Sequence, residues 1–207
     1  MNDRDLLVEI ARSLAAHGLS PGTSGNISIR TSNGWLMTPT NARLGALTPE
    51  RLSLLDTDGN HIEGDAPTKE APLHLAVYEE RPDAAAIVHL HSTHSVAVAC
   101  LEDLDPDDAL PPLTPYFVMR VGRVALVPYM PPGDARLVEL VRERARTHTA
   151  LLLANHGPLV AAPTLEAAAA AAEEMEETAK LVLLLDGKRA RRLTVEEVAE
   201  LRQPPTS

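Results

Sequence analysis

Two dipeptides, Asn33-Gly34 and Asp58-Gly59, constrain this chain more than any other feature. Each lies between short segments that read as strands, and Asn-Gly and Asp-Gly favour tight turns whose central residues take positive φ. Asn26–Arg30 should therefore pair with Trp35-Leu36-Met37, and Leu52–Asp56 with Asn60–Glu63, as antiparallel hairpins. Helical periodicity separates these strands from others. Leu6, Leu7, Ile10 and Leu14 mark an amphipathic helix ending at His17-Gly18. Glu70–Glu80, a stretch from about His94 to Leu101, Asp134–Thr147 and Leu165–Leu185 also read as helices. Ala85–His91, Ala150–Ala154 and Leu159–Ala161 read as strands, and Phe117–Val121 should pair with Ala125–Val127 around Gly122-Arg123. Asp103–Pro112 is a surface loop. This order of turns and helices predicts an α/β fold, a mostly antiparallel sheet with helices on both sides rather than βαβ repeats.

At 207 residues the chain suits one domain spanning 1–207, with Gln203–Ser207 as a frayed tail. One Trp, three Tyr and one Phe leave Leu, Val, Ile and Ala to fill its core. A net charge of −10 argues against nucleic-acid binding, which needs clustered Lys and Arg. The Arg142–Arg146 and Lys188–Arg192 clusters read as solvated faces. Cys100 is the sole cysteine, so no internal disulfide can form, which suits a reducing cytoplasm. Its apolar neighbours predict a small core residue rather than a nucleophile. Residues 1–20 lack a signal-peptide apolar region, and no apolar run reaches about 18 residues. A soluble cytoplasmic protein without membrane contact is expected.

Chemistry concentrates around Val88-His89-Leu90-His91. Strand geometry points residues two apart to one face, about 7 Å apart at Cα, so His89 and His91 project together. Two such imidazoles can share one ion if a third ligand arrives, and His156 of Asn155-His156-Gly157 is the best supplier. Glu70, opening a helix after Pro67-Thr68-Lys69, is the best accompanying acid or base, with capping of that helix as the plain alternative. Two strand histidines satisfied by backbone partners remain the plain alternative. His94 lies one helical turn beyond His91, as a capping or packing residue or as support for the site. His17, His61, His74 and His148 fall in ordinary helix or turn contexts and read as structural. Three loops carry anion-binding groups: Thr23, Ser24 and Asn26; Thr38, Thr40 and Asn41; Thr68 and Lys69. No Walker sequence or G-x-G-x-x-G turn is present. Arg120 sits in a strand pattern, where a charge needs a partner or ligand. Tyr116 and Tyr129 stand out in so aromatic-poor a chain.

Gly-Thr-Ser-Gly-Asn at 22–26, Thr-Pro-Thr at 38–40, Glu70, Val-His-Leu-His at 88–91 and Asn-His-Gly at 155–157 form one ordered set. In order and spacing it resembles the class II aldolase/adducin family over about residues 4–186. That resemblance implies a three-layer α/β/α sandwich and zinc held by His89, His91 and His156. Glu70 would be the catalytic acid/base and a ligand of the empty site. Thr23, Asn26, Thr40, Asn41, Thr68 and Lys69 would line a phosphate site. It further implies homotetramers with active sites between subunits, where Tyr116 is the closest match to a proton-donating Tyr from the neighbour.

Asn41, Thr68-Lys69 and Asn155 depart from the aldolases of the family, which have a glycine, paired serines and a histidine there. The segments Pro67-Thr68-Lys69-Glu70, His89–Ser95, Leu113–Gly122 and Glu173–Lys180 resemble a sugar-acid branch instead. Its members decarboxylate 3-oxo-tetronate 4-phosphate to dihydroxyacetone phosphate and carbon dioxide. Aldol cleavage and decarboxylation both leave an enediolate that a Lewis acid stabilises. They differ at the leaving end, where a decarboxylase must seat a carboxylate; Lys69, or else Arg120, supplies the cation. The expected function is therefore a decarboxylase of a small sugar-acid phosphate. A sugar-phosphate aldolase, a pentulose-phosphate 4-epimerase or a thioether-sugar dehydratase would use the same zinc site. A non-catalytic adducin-like scaffold is disfavoured because all three histidines and Glu70 are retained.

Overall fold

The computed structural model describes residues 2–131 and 133–202; the tail expected at Gln203–Ser207 lies outside them. The Asn33-Gly34 turn closes a hairpin of β1 (Asn26–Thr31) and β2 (Gly34–Met37), with Thr31 opposite Gly34. Asp58-Gly59 likewise joins β3 (Ser53–Leu55) to a short β4 (His61–Glu63). The remaining strands are β5 (Ala86–His89), β6 (Val124–Val127), β7 (Ala150–Leu153) and β8 (Gly157–Ala162). They form one eight-stranded sheet in the order β4-β3-β2-β1-β5-β8-β7-β6.

Strand alternation splits the core into two layers. Ala86, Val88, Ala150, Leu152 and Val160 face one side. There they pack against α1 (Asp3–Ala16), α3 (Thr93–Ala99), α4 (Pro115–Arg120) and the long α6 (Leu165–Leu184). Ile87, Leu151, Leu153 and Leu159 face the other side, covered by α2 (Ala71–Glu80) and α5 (Ala135–Ala145). The helices thus sandwich the sheet, as the class II aldolase resemblance implies.

Three expectations need correction. Phe117–Val121 is not a strand but most of α4. Thr114 caps that helix by accepting from the Phe117 N–H, Pro115 supplies the fixed φ of a first turn, and Gly122 ends it at φ 78°. These boundary signals outweigh the strand propensity of Phe-Val. Without an upstream hairpin partner, β6 pairs with β7 in parallel through α5. The sheet is therefore mixed and contains one βαβ unit. Cys100 is exposed at the C-cap of α3, where the chain leaves the core.

The Asp103–Pro112 loop runs along β6: the Leu126 N–H donates to the Pro106 carbonyl and the Ala109 N–H to Val124. A further helix, α7 (Val195–Leu201), begins with a Thr194/Glu197 capping box and was not anticipated. Among the described residues no helix is long and apolar enough to cross a membrane.

Candidate metal centre

β5 lies near the middle of the sheet, between β1 and β8, and ends at His89. His91 projects beside His89, with ring centroids 5.1 Å apart. His156 arrives from the β7–β8 turn, whose shape depends on its neighbours. Asn155 takes φ 56°, a left-handed conformation that Asn tolerates. At Gly157 a Cβ would lie 2.3 Å from the Leu90 carbonyl oxygen, so only glycine lets the turn approach β5 this closely. Glu70 occupies the N-cap position of α2 but makes no side-chain capping bond; its carboxylate turns to the histidines instead.

The ligand atoms of Glu70, His89, His91 and His156 all lie within 4.8 Å of one another. His156 Nε2 is 3.1 Å from His91 Nε2 and 3.4 Å from His89 Nε2. Glu70 reaches His89 Nε2 at 3.3 Å and His156 Nε2 at 3.2 Å. Two imidazoles about 2.0–2.1 Å from a tetrahedral ion would stand about 3.3 Å apart, so the nitrogens match that spacing. The Nδ1–H of His89 donates to the Pro158 carbonyl at 2.8 Å, which aims its Nε2 into the cluster.

Electrostatics point the same way. Burial alone would raise the Glu70 pKa, but the charge of His89 and hydrogen bonds from His156, His89 and Asn26 hold it far below the usual carboxylate range. Burial would lower the His89 pKa, yet Glu70 and the Pro158 carbonyl raise it. Burial, then His89 and His156, push His91 down to about 4, leaving its ring neutral. A group that draws a proton onto a buried ring is one that stabilises positive charge, and a divalent cation meets the same demand. The four donors fit a single metal ion. His91 and His156 also border a recess of about 470 Å³, with Thr93, Tyr129, Met130 and Asn155.

The other anticipated residues are more dispersed. Asn26 is buried and already engaged: its Nδ2 donates to Glu70 at 2.6 Å. The second and third loops are stitched together, the Thr40 N–H donating to Ala66 and the Thr68 N–H to Thr38. Thr68 is buried, and its Oγ1 accepts from the Glu70 N–H. Thr23 and Asn41 are exposed. Lys69 is exposed too, and with Glu70 it lines a recess of about 230 Å³ beside the start of α5. Arg120 is not a strand charge. It ends α4, half-exposed, 3.5 Å from Glu174 and with its guanidinium over the Tyr116 ring. Tyr116 is 59% exposed, and neither residue lines the recess at the histidines.

The Class II Aldolase and Adducin N-terminal domain model matches residues 5–183, which takes in all four converging side chains. The chain belongs to the class II aldolase and adducin family. Within the family it is 48% identical, over 96% of its length and 95% of the relative's, to a 3-oxo-tetronate 4-phosphate decarboxylase from Haemophilus influenzae. An L-fuculose phosphate aldolase from Escherichia coli is 34% identical over 86% of this chain and 80% of its own. Among solved structures of the family, YgbL from Escherichia coli superposes with a TM-score of 0.94 at 46% identity, covering 97% of both chains. Aldolase, epimerase or decarboxylase activity has been suggested for YgbL.

Proposed function

We propose that this protein is a zinc-dependent carbon–carbon lyase that decarboxylates 3-oxo-tetronate 4-phosphate to dihydroxyacetone phosphate and carbon dioxide. The observation that carries this reading is the converging set Glu70, His89, His91 and His156 in a chain 45–48% identical to relatives bearing that activity in their names. Three converging imidazoles beside an open recess suit zinc, leaving room for substrate oxygens. When bound, such an ion supplies Lewis-acid polarisation of the 3-oxo group.

The chain's own residues do the rest. Thr40, Thr68 and the backbone of their joined loops, with Thr23, Asn26 and Asn41, hold the phosphate and fix the substrate's position. Lys69 attracts the carboxylate that leaves, and Arg120 is the alternative seat. Loss of carbon dioxide leaves its electron pair on C2, and one proton must be delivered there. Glu70 carries that proton, with Tyr116 of a neighbouring copy as the donor that completes the site. The exposure of Tyr116 supports such sharing in a homotetramer.

Purified protein should release carbon dioxide from 3-oxo-tetronate 4-phosphate far faster than it releases aldehyde from neutral-tailed ketose phosphates. The reverse preference would return the aldolase reading. Lys69→Ser sharpens the test. A charge-assisted contact is worth about 1.5–3 kcal/mol, and solvent exposure puts Lys69 at the low end, about tenfold in kcat/KM. That loss should fall on decarboxylation and spare ketose phosphate cleavage. Equal losses on both substrates would assign Lys69 to the phosphate.

A further inference from the structure

His74 lies on α2 one turn beyond Glu70, fully buried and outside the group that could hold a metal. Strand β1 faces α2 here, and a chain of hydrogen bonds links them. Asn26 Nδ2 donates to Glu70 Oε2 at 2.6 Å, and Asn26 Oδ1 lies 2.6 Å from His74 Nε2. His74 Nδ1 lies 2.6 Å from Ser28 Oγ, which lies 3.0 Å from the Tyr78 hydroxyl.

The first bond fixes the direction of all the others. A carboxylate at 2.6 Å accepts only an N–H, so the Asn26 carbonyl must face His74. His74 Nε2 must then donate. On a neutral imidazole that places the single proton on Nε2 and leaves Nδ1 an acceptor. Nδ1 consequently accepts from the Ser28 hydroxyl, whose oxygen accepts from Tyr78; burial keeps that phenol protonated. With the other tautomer of His74, the Asn26 amide would turn over and present its oxygen to the Glu70 carboxylate.

We propose that His74 is a positioning residue that locks the Asn26 amide with its N–H toward Glu70, and so keeps the Glu70 carboxylate aimed at His89 and His156. The inference rests on the metal-centre reading but not on the substrate assigned to it.

Zinc titration of the metal-depleted protein tests it without reference to turnover. His74→Leu should weaken zinc binding about 10–100-fold, the usual worth of a residue behind a metal ligand. It should lower kcat by a similar factor while leaving KM within a few-fold. His74→Gln, whose amide can still donate to Asn26, should restore most of both. In zinc affinity, Asn26→Ala should cost as much as His74→Leu, and the double variant no more than either, because one path is being cut twice. Wild-type zinc affinity in His74→Leu, equal loss in His74→Gln, or losses that multiply in the double variant would overturn the role. If His74→Leu does not fold, Ser28→Ala removes the donor that holds the tautomer. Its loss of affinity should vanish in the Asn26→Ala background, and persistence there would overturn the role. A wild type that binds no zinc would sink this inference together with the metal centre. One that binds zinc but releases no carbon dioxide would sink only the substrate assignment, and the zinc cycle would still decide the role of His74.

Discussion

Glu70 and Glu176 both meet histidine side chains at the start of a helix, yet their partners differ in kind. Glu176, from α6, accepts from the His94 N–H and Nδ1 and from the Ser95 N–H and hydroxyl, at 2.8–2.9 Å. It caps α3 from outside, where the N-cap Ser92 makes no side-chain capping bond. Every partner of Glu176 is a donor, so the cluster is complete as it stands. Around Glu70 only the Asn26 amide and the Thr68–Glu70 turn have fixed roles; the Nε2 atoms of three imidazoles crowd onto a common point. A carboxylate saturated by donors holds the scaffold together, whereas one among converging metal-ligand nitrogens calls for a cation.

Three changes would break or sharpen that contrast. The largest effect belongs to His91→Ala, which should lose most bound zinc and fall to background activity, while His94→Ala keeps its zinc. Metal analysis of both proteins checks this, and full occupancy in His91→Ala would remove that residue from the ligand set. Next comes Glu70→Gln, expected to cost about 10²–10⁴ in rate with a melting temperature near wild type. An active Glu70→Gln protein would end its role as proton carrier.

Glu176→Gln should do the opposite. Losing charge-assisted bonds to these donors should cost about 1.5–3 kcal/mol, or about 3–12 °C in melting temperature, with turnover changed only a few-fold. Burial would raise the Glu176 pKa, but the N–H groups of His94 and Ser95 outweigh it and lower it. A depressed folded pKa gives stability that is full above the unfolded value of about 4.3 and is lost as pH falls through the folded one. The gap between wild type and Glu176→Gln in thermal melts should therefore be widest near neutral pH and close in acid. A gap that stays constant with pH would show that Glu176 acts through packing alone.

Much of this was legible in the chain because local signals and the fold agree. The period of two placed His89 and His91 together, and Asn33-Gly34 fixed the first hairpin. Phe117–Val121 misled because its composition suits a strand, whereas its helix is decided at the edges by Thr114-Pro115 and Gly122. Arg120 was misread with it. His74 looked ordinary in isolation, but its signal was present. Glu70, His74 and Tyr78 recur every four residues on a helix, and Asn26 and Ser28 every two on a strand. The rises are about 6 Å and about 7 Å, near enough for side chains of the two elements to interleave. Nothing in either segment alone says that they meet; only the sheet order, which sets β1 beside β5, brings that about.

The bonds between the Asp103–Pro112 loop and β6 bear on how this protein survives at high concentration. An open strand edge invites pairing with another molecule's strand. β6 would be such an edge, four residues long and mostly buried, but Pro106 and Ala109 already occupy its outward hydrogen-bonding groups. Three prolines make the loop a poor template for a further strand, and four aspartates repel another acidic chain. Asp107 anchors it by pairing with Arg144 and accepting from His148 through its carbonyl. At the opposite margin β4 is three residues long, exposed throughout, and enters with a shift of register. Both ends of the sheet thus resist strand-by-strand growth.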